Sequence, residues 1–188
     1  MKKNPLHYVD NEQFLESMIE YQNEIKHAKE TDEPPPPIPE YIGECFLKIA
    51  NRLSFRPNFI NYAFREDMIS DGIENCIQYM NNFNPEKSSN PFAYFTQIIY
   101  YAFVRRIQKE KKQLYIKYKT MDSQAAMSEN IEISQHDQEQ NYSYETMTHD
   151  QKVNMYIYIS NFEESKKKKK AIAKKKSSTN LELFMSTA

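Results

Sequence analysis

Tryptophan is absent from these 188 residues, and glycine and cysteine each occur only twice. With two glycines there is no Gly-rich loop to cradle a phosphate. Cys45 and Cys76 show no CxxC or Cys/His spacing, which argues against a metal site, and each sits on an apolar helical stripe as a reduced core residue would. No stretch approaches the roughly 18 to 20 apolar residues of a membrane span, and the opening MKKNPLHYVDNEQ lacks the apolar centre of a signal peptide. The four histidines, His7, His27, His136 and His149, are scattered, with no HExxH or nucleophile elbow around them. The expectation is a soluble intracellular protein that is not an enzyme and uses no cofactor and no metal.

What is present is polar and unevenly charged. Mean hydropathy is −0.84, and the apolar residues crowd into residues 42–107. This predicts an all-α fold, a compact helical domain with flexible N- and C-terminal extensions. The net charge of −1 conceals an asymmetry: residues 1–165 carry 17 Lys/Arg against 25 Asp/Glu, a net −8, whereas residues 166–188 carry eight Lys against one Glu, a net +7. Local basic patches, rather than overall charge, would have to serve any nucleic-acid contact.

Helical periodicity divides the chain. Phe14, Leu15, Met18, Ile19 and Ile25 predict a helix capped by Asp10 or Asn11, which the proline run of residues 34–39 cannot continue. Residues 1–39 are thus an N-terminal helix and a stiff linker. The domain proper spans 40–119. Ile42, Cys45, Phe46, Ile49, Ala50 and Leu53 form one helical face. Met68, Ile69, Ile73, Cys76, Ile77 and Met80 form the next, while Glu66, Asp67, Ser70, Asp71 and Glu74 face elsewhere. An acidic first turn suits the helix dipole and needs no function to explain it. Residues 120–165 hold an acidic connector, with seven acids and no Lys or Arg over 120–150 and an element at 153–162 that fits a short helix or a strand. Residues 166–188 are a lysine-rich tether ending in an apolar island.

Asn90 as cap and Pro91 as first residue predict a long helix running to Lys112. It places six aromatic rings between Phe92 and Phe103 and then turns basic, with Arg105, Arg106, Lys109, Lys111 and Lys112. Phe92, Phe95, Ile99, Ala102, Phe103 and Ile107 fit one buried face, and Tyr94, Tyr100, Tyr101 and Val104 do not all fit it. Exposed rings beside cations are what a protein needs to hold unpaired bases, each stacked base contributing roughly 1–3 kcal/mol.

The segment EDMISDGIENCIQYMNNFNPEKSSNPFAYFTQIIYYAFVRRI, residues 66–107, resembles the second conserved region of bacterial sigma factors. The matching features are Asp67 with Met68 and Ile69, the Asp71-Gly72 step, Phe83, Tyr94, Ala102 and Arg105. The chain's length, its hydrophobic end and the lack of a later helix-turn-helix narrow the likeness to the late-transcription sigma factors of tailed bacteriophages, over about residues 40–119. This resemblance implies that Asp67, Ser70, Asp71 and Ile77, with Glu74 as an exposed neighbour, contact the clamp helices of the largest catalytic subunit of the host RNA polymerase. It further implies that Tyr94 stacks on an adenine flipped from the non-template strand of a TATA-like -10 element in late promoter DNA. Arg105, Arg106 and Lys109 would hold the backbone. The family's tandem tryptophans correspond to Gln97 and Ile98, and its polar duplex-reading positions to Tyr101 and Val104, so the expected DNA-binding set is Phe92, Tyr94, Phe95, Gln97, Tyr101, Arg105, Arg106 and Lys109.

NLELF, residues 180–184, resembles the peptide with which bacterial DNA-associated proteins bind the sliding clamp, with Leu181, Leu183 and Phe184 filling the pocket. The implied partners are host core RNA polymerase, late promoter DNA, the phage sliding clamp and a late-transcription co-activator, in the cytoplasm of the infected bacterium. The alternative is a non-catalytic adaptor that bridges polymerase and clamp without touching bases.

Overall fold

The structure, a computed structural model, describes residues 8–128, 144 and 146–186, with side chains over 8–126, 144 and 146–172. It is all-helical, with no strand among the described residues. The chain divides between Lys109 and Glu110 into two units.

The first unit begins where Asp10 caps α1 (Asn11–Glu30), its Oδ1 accepting from the amides of Glu12 at 3.0 Å and Gln13 at 3.3 Å. A good cap contributes about 1 kcal/mol by satisfying amides that the helix leaves unpaired. Asp32 adopts a left-handed φ of 58° just past the helix end, and the prolines follow without regular structure. The buried residues of α1 are Phe14, Met18, Tyr21 and Ala28. Ile19, expected in the stripe, is exposed. A second departure is larger. Phe14 and Met18 have no solvent exposure and belong to the same core as the later helices, so α1 is part of the domain and not an extension of it.

Helix α2 (Glu40–Ser54) buries the predicted face, Ile42, Cys45, Phe46, Ile49, Ala50 and Leu53. Helix α3 (Arg65–Tyr79) buries Met68, Ile69, Gly72 and Cys76 and runs into a 3-10 turn, Met80–Asn82. Helix α4 (Pro91–Ser128) opens as predicted, with Asn90 Oδ1 accepting the Ala93 amide at 2.9 Å. Its residues up to 109 lie in the first unit and bury Phe95, Ile99, Ala102, Phe103 and Ile107. Phe95 is the hub: its ring lies 4.7 Å from Phe46, 5.6 Å from Phe14 and 6.0 Å from Phe83. Gly72 is where α3 meets α4, because a Cβ there would stand 3.0 Å from Ile99 Cγ2 and 3.1 Å from Phe103 Cε1. Two side chains of α1 fasten the turn that leads into α4. Asn11 donates to the Ser89 carbonyl and accepts from the Phe92 amide, and Gln22 Nε2 donates to the Phe83 carbonyl at 2.7 Å.

The second unit pairs the remainder of α4 with α5 (His149–Ser186). The two run antiparallel: Tyr115 stacks on Phe162 at 4.4 Å, and Tyr118 meets Tyr158 edge-on at 5.6 Å. Tyr115 donates to Glu163 Oε1 at 3.0 Å, Tyr158 donates to the Lys111 carbonyl at 2.9 Å, and Met155 and Ile159 are buried. Here the fold exceeds the sequence expectation. Helix α4 continues sixteen residues beyond Lys112, residues 153–162 are helical, and the lysine-rich stretch from residue 166, expected as a tether in a flexible extension, continues the same helix to Ser186. No Gly or Pro interrupts residues 149–186, Lys and Ala are strong helix formers, and Glu164 pairs with Lys168 one turn on. Residues 129–143 of the expected acidic connector lie outside the described residues.

Candidate nucleic-acid interface

About three turns of helical geometry sort the side chains of α4. Phe95, Ile99, Ala102 and Arg106, spaced i, i+4, i+7 and i+11, share the core-facing row, whereas Tyr94, Gln97, Tyr101 and Arg105 share an outward row. Tyr101 is 52% exposed, and Gln97 and Arg105 are exposed. Tyr94 is half-buried, with its ring 5.3 Å from Phe83 and 5.1 Å edge-on from Phe95. Burial, and then the nearby Cys76, raise the pKa of its hydroxyl, so it is a neutral phenol at physiological pH. Tyr100, partly exposed, lies between Phe59 at 5.5 Å and Tyr101 at 5.7 Å.

Two expected DNA contacts are corrected. Phe95 has no solvent exposure and is enclosed by four rings, so it has no face to offer a base. Arg106 turns inward, 18% exposed, with Nη2 2.9 Å from Asp67 Oδ2 and Nη1 3.3 Å from Asp71 Oδ2. A guanidinium held by two carboxylates is not available as a phosphate anchor. The outward cations of this segment are Arg105, whose Nη2 donates to Asn75 Oδ1 at 2.6 Å, and Lys109, which is exposed. Phe92 remains half-buried, with its ring edge-on to Tyr8 at 5.6 Å.

On α3, Asp67, Ser70, Glu74 and Ile77 are exposed and Asp71 is half-buried. Ile77, which helical spacing also placed in the buried stripe, is 45% exposed and lies on the acidic face. Asp67 and Asp71 are therefore shared, facing solvent in part while neutralising Arg106. Glu74 has no ion pair among the described residues. The tie to Arg106 was legible in the sequence as a cation continuing the Phe95 row opposite two acids one turn apart. Gln22, which braces the turn before Tyr94 with Asn11, carried no sequence signal, and Asn11 was marked only as an alternative cap of α1.

Cys76 is buried and desolvation pushes its thiol up to about 12. Among the described residues no cluster of three or more His, Cys, Asp or Glu side chains is placed to hold a metal, and no helix is long and apolar enough to cross a membrane. The side chains of Leu181, Leu183 and Phe184 lie outside the described residues, and their backbone belongs to α5. No protein-family model matches the chain, and no curated protein matches it in sequence.

Proposed function

We propose that this chain is a sigma-type initiation factor of a tailed bacteriophage, which binds host core RNA polymerase, recognises and helps open a TATA-like -10 element of late promoters, and responds to the DNA sliding clamp. The observation that carries this reading is the outward row of α4, Tyr94, Gln97, Tyr101 and Arg105, with Arg105 bonded to Asn75 on α3, the helix that carries the acidic, partly apolar face. Tyr94 is propped by Phe83 and Phe95, and a ring already fixed loses little freedom when a base stacks on it. Extruding a base costs a few kcal/mol, and one stack contributes roughly 1–3 kcal/mol. The ring alone about balances the cost, so opening requires polymerase to hold the remaining DNA. Flexible TA steps lower the cost further. Arg105 and Lys109 are the residues positioned to take phosphates, making the affinity salt-dependent.

The adaptor reading has its own support in the packing of Tyr94 and in the inward turn of Arg106. Permanganate reactivity of thymines in a TATA-type -10 duplex separates the two. Reactive thymines are expected only when both the chain and core polymerase are present, with Tyr94→Ala lowering the reactivity about tenfold, the equivalent of one lost stack. Glu74→Lys is expected to abolish polymerase binding, and it is a cleaner probe than a change at Asp67 or Asp71 because it leaves Arg106 paired. A chain that binds polymerase without producing reactive thymines is an adaptor. In the same assay, removing residues 181–188 is expected to spare basal opening and to abolish stimulation by the clamp.

A further inference from the structure

We infer that the groove between α1 and the turn after α3 binds an unpaired nucleotide through its base edge and its phosphate, as a continuation of the Tyr94 surface. The groove has a volume of about 600 Å³ and lies wholly within the first unit. Its lining is apolar at Ile19, Ile25 and Pro85 and polar at Lys26 and Lys29 from α1 and at Asn81 and Asn82 from the 3-10 turn. Asn23 and Asn84 add amides, and Glu86 is the one acid lining it.

Three properties select the ligand. Lys26 and Lys29 are exposed and have no ion pair among the described residues, in a unit where Arg106 is already neutralised. A side-chain amide offers donors and an acceptor together, the pairing that reads a base edge, and Asn23, Asn81 and Asn82 make no side-chain hydrogen bond among the described residues. An acidic peptide could use the lysines and, through its backbone, the amides as well; what favours a nucleotide is the link to the Tyr94 ring. Finally, Phe83 joins the groove to the candidate interface: it lines the groove, its carbonyl is held by Gln22, and its ring supports Tyr94. A strand whose base stacks at Tyr94 would thus have its neighbour at the groove. This extension rests on the outward row of α4 facing unpaired DNA.

The test is NMR titration of the full chain with a single-stranded octadeoxynucleotide, following the side-chain amides of Asn23, Asn81 and Asn82, which separates the groove from the lysines of α5. These amides are expected to shift. Lys26→Ala with Lys29→Ala, two exposed helical sites where alanine keeps the fold, is expected to weaken the titration about tenfold and to reduce the log K against log salt slope by about 1.4, two phosphates at roughly 0.7 each. Silent asparagines, a salt slope unchanged by the double variant, or equal shifts with polyglutamate would each overturn the groove site. Permanganate reactivity with silent asparagines would overturn the groove and leave the initiation reading standing. Shifting asparagines without reactive thymines would do the reverse.

Discussion

Arg106 shows how much a single side chain decides. Its pairs with Asp67 and Asp71 are partly exposed, at 18% for the arginine against 56% and 32% for the acids, so solvent screening limits the arrangement to about 1 kcal/mol. Arg106→Gln is expected to lower the stability of the first unit by that amount in urea unfolding. Combined with Asp67→Asn, the two losses should fall short of their sum by about 0.5 kcal/mol. Strict additivity would mean that the pair does not persist in solution. Helical periodicity already placed Phe95 on the buried face, and Phe95 and Arg106 entered the expected DNA contacts only through the resemblance. Arg106 continues the Phe95 row, and that angular position separates both from Arg105 and Tyr94.

At the scale of elements, the beginnings of α1 and α4 were legible and the extent of α4 and α5 was not. Asp10 and Asn90 announce α1 and α4 because caps are local chemistry. Past Lys112, α4 brings Tyr115 and Tyr118 to Phe162 and Tyr158, forty or more residues away, and the one local signal for it is that no Gly or Pro interrupts residues 113–128. The lysine run misled for a related reason, since like charge disfavours compaction but does not forbid a helix. The two glycines provide a test of helix approach. At Gly43 an added Cβ meets nothing within 4 Å, whereas at Gly72 it meets Ile99 and Phe103. Gly43→Ala should therefore stabilise by about 0.5–1 kcal/mol. Gly72→Ala should lose that gain to overpacking of about 1–3 kcal/mol. Equal stabilisation by both, read from denaturation midpoints, would show that α3 and α4 are not in contact at Gly72.

For the molecule as a whole, alkali is the informative perturbation. Burial raises Cys76 from 9.0 to about 12, and burial with the neighbouring Cys45 raises Tyr41 from 10.0 to about 12. Both groups are neutral when protonated, and the unfolded chain ionises first, so between these values the folded state binds more protons and stability falls as pH rises. Thermal unfolding is expected to be level in this respect below pH 9 and to drop between pH 9 and 12, with Cys76→Ala removing the earlier part of the fall. An unchanged onset in that variant would place the thiol in water. The fastening of α1 has a consequence for how the molecule divides. The proline run looks like a natural place to cut, yet Phe14 and Met18 fill the centre of the core while Asn11 and Gln22 hold the turn into α4. A fragment beginning at Glu40 would open its own hydrophobic interior to water and release the turn that carries Phe83, so the smallest autonomous piece of the first unit starts before Asp10.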